Sequence, residues 1–368
     1  MKLLRTIVSS LPPVGLLVLQ LACGGDASGP GQVATSIAAN SFTTVTAPPG
    51  TEVTELPSVI VRDQRGALQA GVPVTFAVTG GGGTLTGGSA TTNSSGIATV
   101  GSWTIGAGNG ANTLSATSGN LHAVTFTACA TPPHTLGSTI DNQLSLTDCQ
   151  FVNGSFVDFY TVTIPTSGTY VFNQSSLSFD TFLALLTATG TTIGTNDDFG
   201  GTGVTDSRVK VIVPAGTYLV GANSVVANVT GNYSLASAAS TTQVTNCEDV
   251  FVLSGISTPQ SLQTTDCNTN PASPTTGFSY DDYVIFLNAG QSITVSMTSS
   301  AVDSYLEIHP DGSSMVLASN DDIDGTTKNA RVTYTGPIST TVRTAGFYII
   351  TAASKVAGAT GDYTLTVQ

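Results

Sequence analysis

Four of the five cysteines constrain this chain more than any other feature. Cys129 and Cys149 stand 20 positions apart, Cys247 and Cys267 stand 20 apart again, and the second pair follows the first by 118. Both second cysteines close the same tripeptide, Thr147-Asp148-Cys149 and Thr265-Asp266-Cys267. Behind an export leader, two equal pairs predict two local disulfides, one near the start of each of two homologous units. Closing loops of this length stabilises a domain by about 3 kcal/mol in the chain-entropy model. A redox or metal role would need Cys-x-x-Cys spacing or nearby histidines, and neither is present.

The duplication continues downstream. Asp158-Phe159-Tyr160-Thr161-Val162 aligns with Asp282-Tyr283-Val284-Ile285-Phe286 at an offset of 124. Phe179-Asp180-Thr181-Phe182-Leu183 aligns with Val302-Asp303-Ser304-Tyr305-Leu306 at 123, and Asn196-Asp197-Asp198 with Asn320-Asp321-Asp322 at 124. Arg208-Val209 pairs with Arg331-Val332 at 123, and Gly231-Asn232-Tyr233 with Gly361-Asp362-Tyr363 at 130. Near-constant offsets with small insertions mean one fold used twice.

The N-terminus reads as a secretory signal over residues 1–22. Lys2 and Arg5 precede an apolar run that ends at Ala22 and is interrupted by Pro12-Pro13. The run is too short to span a bilayer. Leu21-Ala22-Cys23 resembles a bacterial lipobox, although Gln20 stands where that pattern has Leu. The resemblance implies that Cys23 becomes an acylated first residue, with residues 23–33 as a flexible tether; two acyl chains suffice for stable anchoring. The alternative is ordinary secretion. Either way the chain is expected at the bacterial envelope or outside it.

Composition points to sheets. Only 9% of residues are charged, 40 are glycine and 40% are hydrophobic. That is enough to build cores while leaving few residues suited to exposed helices. Turn signals recur in Thr166-Ser167-Gly168, Pro214-Ala215-Gly216 and Thr344-Ala345-Gly346. Between them lie period-2 segments such as Val209, Val211 and Val213, expected inward, with Arg208, Lys210 and Ile212 on the other face. The fold class is therefore all-β, as three tandem β-sandwich domains. The formal charge is −13, and −15 once Lys2 and Arg5 leave with the leader. That excludes a nucleic-acid partner and direct adsorption to anionic lipid, and confines membrane contact to the lipid anchor.

Two family resemblances give this architecture detail. Asp-Phe-Tyr at 158–160, Phe179-Asp180-Thr181-Phe182-Leu183, Asn196-Asp197-Asp198, Ser207-Arg208-Val209, Ala215-Gly216-Thr217-Tyr218 and Gly231-Asn232-Tyr233-Ser234-Leu235 together resemble the bacterial pre-peptidase C-terminal domain. The match covers residues 129–242 and, more loosely, 243–368. It departs at Asn329-Ala330-Arg331, where the first copy has Ser-Arg. The resemblance implies two jelly-roll-like sandwiches of the kind appended, without catalytic role, to secreted enzymes and surface proteins. Residues 34–128 differ. Gln69-Ala70-Gly71-Val72-Pro73-Val74-Thr75-Phe76, the Gly80–Gly83 run, Asn93-Ser94-Ser95-Gly96 and Asn112-Thr113-Leu114 resemble a bacterial immunoglobulin-like domain of the invasin/intimin type. Phe76 and Trp103 are its expected core anchors, and a stalk or adhesion spacer is its implied role.

Nothing in the sequence resembles a catalytic centre. His122, His134 and His309 fall one per domain and are expected to be isolated surface or rim residues. There is no Gly-x-Ser-x-Gly elbow, no His-Glu-x-x-His and no phosphate loop. The adjacent carboxylates at 197–198, 281–282 and 321–322 alternate faces on a strand and cannot work together across a cleft. Aromatics such as Phe156, Phe159, Tyr160, Tyr280 and Tyr283 form either core or a flat binding platform, with core favoured at alternating positions.

The acidic loops Asn196-Asp197-Asp198-Phe199-Gly200 and Asn320-Asp321-Asp322-Ile323-Asp324-Gly325 read in two ways. With Asp180 and Asp206 in the first copy, or Asp303 and Asp324 in the second, they offer oxygens to Ca²⁺. Otherwise they are hairpin loops whose Asn and Asp side chains bond their own backbone. No cofactor is required, and Ca²⁺ is the one ion suggested. The functional expectation is a non-catalytic, surface-anchored interaction or adhesion protein whose partner is a surface protein or glycan. The alternatives are a structural envelope lipoprotein and an accessory subunit of a secreted hydrolase.

Overall fold

The computed structural model describes residues 33–199, 204–240, 247–269, 273, 276–324, 327–336 and 346–368. The leader, Cys23 and most of the tether lie outside the described residues. Every regular element among the described residues is a β-strand. The immunoglobulin-like region holds β1 (Ala34–Ala39), β2 (Thr44–Ala47), β3 (Ser58–Asp63), β4 (Pro73–Gly80), β5 (Gly83–Thr86), β6 (Ser89–Thr91), β7 (Ile97–Thr99), β8 (Ser102–Ile105), β9 (Ala111–Thr117) and β10 (Val124–Ala130). Copy 1 holds β11 (Thr139–Leu144), β12 (Cys149–Gln150), β13 (Phe156–Ile164), β14 (Gly168–Ser175), β15 (Thr181–Thr187), β16 (Thr192–Asn196), β17 (Ser207–Val213), β18 (Gly216–Ser224) and β19 (Gly231–Ala239). Copy 2 holds β20 (Val250–Val252), β21 (Ile256–Leu262), β22 (Cys267–Asn268), β23 (Ser279–Leu287), β24 (Ser292–Thr298), β25 (Ser304–Pro310), β26 (Ala318–Asn320), β27 (Ala330–Thr335), β28 (Gly346–Ser354) and β29 (Gly361–Val367).

These strands fall into two compact units. One comprises residues 33–133 and 144–161, the other 134–143 and 162–368.

In the first unit, a sheet ordered β1-β3-β7 and one ordered β2-β10-β9-β4-β6 enclose an apolar core. Alternation places Leu114 and Ala116 of β9 inward, against Phe76, Trp103 and Phe126. Phe76 and Trp103 are the anchors that the sequence predicts, at 3% and 0% exposure. The glycine run works as a turn: Gly81, Gly82 and Gly83 all have positive φ, where a Cβ would be strained. The last strand continues past the expected boundary at 128, so Cys129 is part of this sandwich. Its bond to Cys149 (Cα–Cα 5.9 Å) therefore ties the immunoglobulin-like sheet to β12 of copy 1, rather than closing a loop inside copy 1. A small cluster forms around the bridge, with Phe151 and Phe159 edge-to-face at 5.8 Å.

In the second unit, β11-β19-β14-β17-β20-β23-β28-β25-β26 form one continuous sheet, with β22 pairing to β23. Facing strands are ordered β18-β15-β16 in copy 1 and β21-β29-β24-β27 in copy 2. The sequence places a domain boundary at 242/243, yet the sheet runs through it. Three-residue β20 lies parallel to β17 on one side and to β23 on the other. Consequently the outer face of β17 is covered as well. Lys210 is 1% exposed and Ile212 0%, and Ile212 belongs to the same apolar cluster as Val250, Val252 and Ile285 of copy 2. Lys210 Nζ reaches Glu248 Oε2 at 3.1 Å, and Arg208 Nε lies 3.5 Å from its other oxygen. The second disulfide, Cys247–Cys267, pins the segment leading into β20 to β22.

Strand lengths also correct the alignment of the copies. β13 and β23 are nine residues each, and their ends match at an offset of 123. Asp158 thus corresponds to Asp281, not Asp282, and Tyr160 to Tyr283. A slip of one residue moves a side chain to the opposite face of a strand.

Candidate functional site

The acidic loops of the two copies occupy equivalent turns. Asn196 closes the first: its Oδ1 accepts the Arg208 N–H at 2.9 Å and its Nδ2 donates to the Asp198 carbonyl at 3.3 Å. Asn320 makes the same pair of bonds to Arg331 and Asp322, at 2.9 and 3.0 Å. Asp197 Oδ1 accepts the N–H of Asp198, and Asp324 Oδ1 that of Thr327. These are the side-chain-to-backbone bonds of a hairpin loop. Among the described residues, no three His, Cys, Asp or Glu side chains are grouped to hold a metal ion.

The two loops differ in charge balance. In copy 1, burial and then the charges of Asp198 and Asp197 push the Asp180 carboxyl above its ordinary range, and its Oδ1 is buried without a hydrogen-bond partner. Asp206 accepts the Ser176 N–H nearby. In copy 2 the residue equivalent to Val225 is Lys355; each donates its N–H to the carbonyl of the equivalent aspartate, Asp180 or Asp303. Lys355 Nζ pairs with Asp321 at 3.0 Å, holds that carboxyl below its usual range, and sits 4.8 Å over the Tyr305 ring. The equivalent of Asp206 is Asn329, whose Oδ1 accepts the Ser299 N–H. Asp324, expected to serve in copy 2, instead accepts the Thr327 N–H of its own turn. Lys355 carried no sequence motif, so only the folded loops reveal it.

The histidines do not assemble. His122 is exposed and His309 half-buried, while His134 is only 3% exposed, contrary to its expected surface position. His134 Nε2 lies 2.9 Å from Ser237 Oγ, a distance suited to a nucleophile and its base. Ser237 is 4% exposed, however, and its backbone also bonds Gly137 and Ser138. The pair fastens the segment before β11 onto β19, and burial pushes the His134 imidazole toward its neutral form.

The concave surface of note lies at the loop end of copy 1. A cleft of about 800 Å³ opens between β11, β19 and the turn after β14. Its walls carry the amides of Asn142, Gln143 and Asn232, the hydroxyls of Ser175 and Ser178, and the carboxylate of Asp141. Asp141 accepts a hydrogen bond from Ser234 Oγ. The turn is held from below by Ser176 Oγ, which donates to the Asn232 carbonyl and accepts the N–H groups of Ser178 and Phe179. Leu177 stands fully exposed at its tip. Of the aromatics named from sequence, Phe156, Tyr160 and Tyr283 are core, while Phe159 and Tyr280 are half-buried.

No family model and no curated protein matches the chain. Solved structures do show likenesses. The pre-peptidase C-terminal domain of a collagenase from Bacillus anthracis is 15% identical over 28% of this chain and 91% of that one, with a TM-score of 0.24. The D0-D1 domain of intimin is 21% identical over 56% of this chain and 95% of that one, at 0.24. The D00-D0 domain of intimin is 31% identical over 25% of this chain and 46% of that one, at 0.19. These neighbours include a pre-peptidase C-terminal domain and intimin domains, each at a low TM-score and over part of the chain. No helix among the described residues is long and apolar enough to cross a membrane.

Proposed function

We propose that this chain is a non-catalytic, exported interaction protein, held to the bacterial envelope through a lipidated Cys23, which binds a surface protein or glycan at the loop end of copy 1. The cleft there is the observation that carries the reading. A sheet presents loops lined with amides and hydroxyls beside the carboxylates of Asp141 and Asp206, and loops on such a scaffold are where binding groups are disproportionately found. Such groups match the hydroxyls of a sugar or the backbone of an extended peptide, and Leu177 supplies an apolar contact beside them. Export is supported by the leader and the two disulfides. A binding rather than catalytic role is supported by the histidines, each committed elsewhere or alone.

The test is binding of oxidised protein lacking the leader to glycan and protein arrays. A saturable ligand lost on Gln143→Ala with Asn232→Ala, or on Leu177→Asp, is the expected result. Blank arrays, or binding indifferent to these changes, overturn the reading. Anchoring is tested separately by fatty-acid labelling of cells, which Cys23→Ser should abolish.

A further inference from the structure

Copy 2 buries a polar cluster that no sequence motif singled out. Asp281 on β23 is 1% exposed. Its Oδ2 accepts the hydroxyl of Tyr363, from β29, at 2.5 Å, and the Tyr283 hydroxyl lies 2.5 Å from that of Tyr363. Asp266, 7% exposed, sits in the turn before β22, where its Oδ2 accepts the Gln263 N–H. The second oxygens, Asp266 Oδ1 and Asp281 Oδ1, are buried and face no donor. β22 pairs antiparallel with β23, Cys267 opposite Tyr280, so the residue before Cys267 comes alongside the residue after Tyr280, and Asp266 acts directly on Asp281. Two carboxylate oxygens attract only if a proton lies between them. A calcium ion would want six to eight oxygens, more than the turn provides.

Copy 1 keeps both carboxyls, Asp148 and the buried Asp158, but its turn gives each oxygen of Asp148 a donor. Ser145 donates its N–H to Asp148 Oδ2 and its hydroxyl to Asp148 Oδ1 at 2.9 Å. Copy 2 has Gln263 in place of Ser145, a side chain with no hydroxyl to give.

We propose that Asp266 and Asp281 share one proton in the folded chain, and that this proton is a latch: bound, it fastens the turn at 263–266 to β23 and β29; lost, it leaves two buried carboxylates opposed and loosens copy 2. The titratable groups acting on Asp281 are Asp266 from the turn, Tyr363 from β29, Asp282 and Tyr283 from β23 itself, and Lys210 from β17. Neighbouring β28 places Ala352 opposite Asp281, and β20 contributes Val250 and Phe251 along β23. Lys210 favours the ionised form, but burial and Asp266 prevail.

Burial, then the charge of Asp266, raises Asp281 to about 8, and burial raises Asp266 to about 6, from 3.8 in both cases. A carboxyl with a raised folded pKa stabilises fully below its unfolded value, and that stability is lost as pH rises through the folded value. The loss therefore runs from about pH 4 to about pH 8 and levels off above.

Infrared spectroscopy of the oxidised chain reads the latch directly. A protonated carboxyl stretch should be present at pH 6, fade near pH 8, and be missing in Asp281→Asn. Between pH 6 and 8 the unfolding constant of the parent, relative to that of Asp281→Asn, should rise about tenfold per pH unit. Gln263→Ser should move the infrared midpoint to lower pH. Absence of a protonated carboxyl at pH 6 in the parent, or its persistence unchanged in Asp281→Asn, overturns the proposal whether or not variants fold well.

Discussion

Glu248→Ala tests whether the joint between the copies is held by charge. Lys210 Nζ and Glu248 Oε2 are 3.1 Å apart, with side-chain exposures of 1% and 20%. At an effective dielectric constant of 20, that separation of 3.1 Å corresponds to an attraction of about 5 kcal/mol. Part of this offsets the desolvation of the two ions, so the pair's net worth is smaller. Removing only the carboxylate leaves the ammonium buried, a change that costs about 3–5 kcal/mol. Replacing both, as Lys210→Met with Glu248→Leu, should be neutral or stabilising by about 1–4 kcal/mol. Urea unfolding gives the totals, and hydrogen exchange at the amides of β17 and β20 localises the effect. A loss below about 1 kcal/mol for Glu248→Ala, the range of an exposed pair, would refute the reasoning. So would a double variant as unstable as the single one.

Three further outcomes follow. Cys129→Ser or Cys149→Ser should lower stability by about 3 kcal/mol in denaturant melts and should free exchange in β10 and β12 together, because the bridge ties these two strands within one unit. Trp103→Ala should cost about 3–5 kcal/mol in thermal or urea melts. Trp103→Phe should cost much less, since the Trp103 Nε1 is buried with no acceptor and its removal relieves that defect. Val225→Lys should give copy 1 the pair that Lys355 makes in copy 2, adding about 0.2–1 kcal/mol and lowering the Asp180 carboxyl in an NMR titration.

The local features of this fold were readable in the chain. Cysteine spacing gave both bridges, Phe76 and Trp103 were recognisable anchors, and the Gly80–Gly83 and Asn93–Gly96 turns rest on residues suited to them. What was not readable depends on distant partners. Val209, Val211 and Val213 announce one buried face of β17, but burial of Lys210 and Ile212 follows from β20 arriving some 40 residues later. Adjacent Asp281 and Asp282 both satisfy a one-residue alignment choice, and only pairing with β28 and packing under Tyr363 decide which faces inward. Cys129 looked like the start of copy 1 because spacing says which residues pair, not which sheet each one belongs to. The asymmetry of the acidic loops hid in Lys355, which lies 34 positions from Asp321 in sequence and 3.0 Å from it in space.

β20 has a consequence out of proportion to its three residues. An unpaired strand border offers backbone donors and acceptors to any passing chain and is a recurrent route to self-association. By sliding between β17 and β23, this short segment closes two such borders at once. A fragment ending at 240 would lay β17 bare, and one beginning at 256 would lay β23 bare. The two copies are therefore mutual covers, and each is expected to be sticky when expressed without the other.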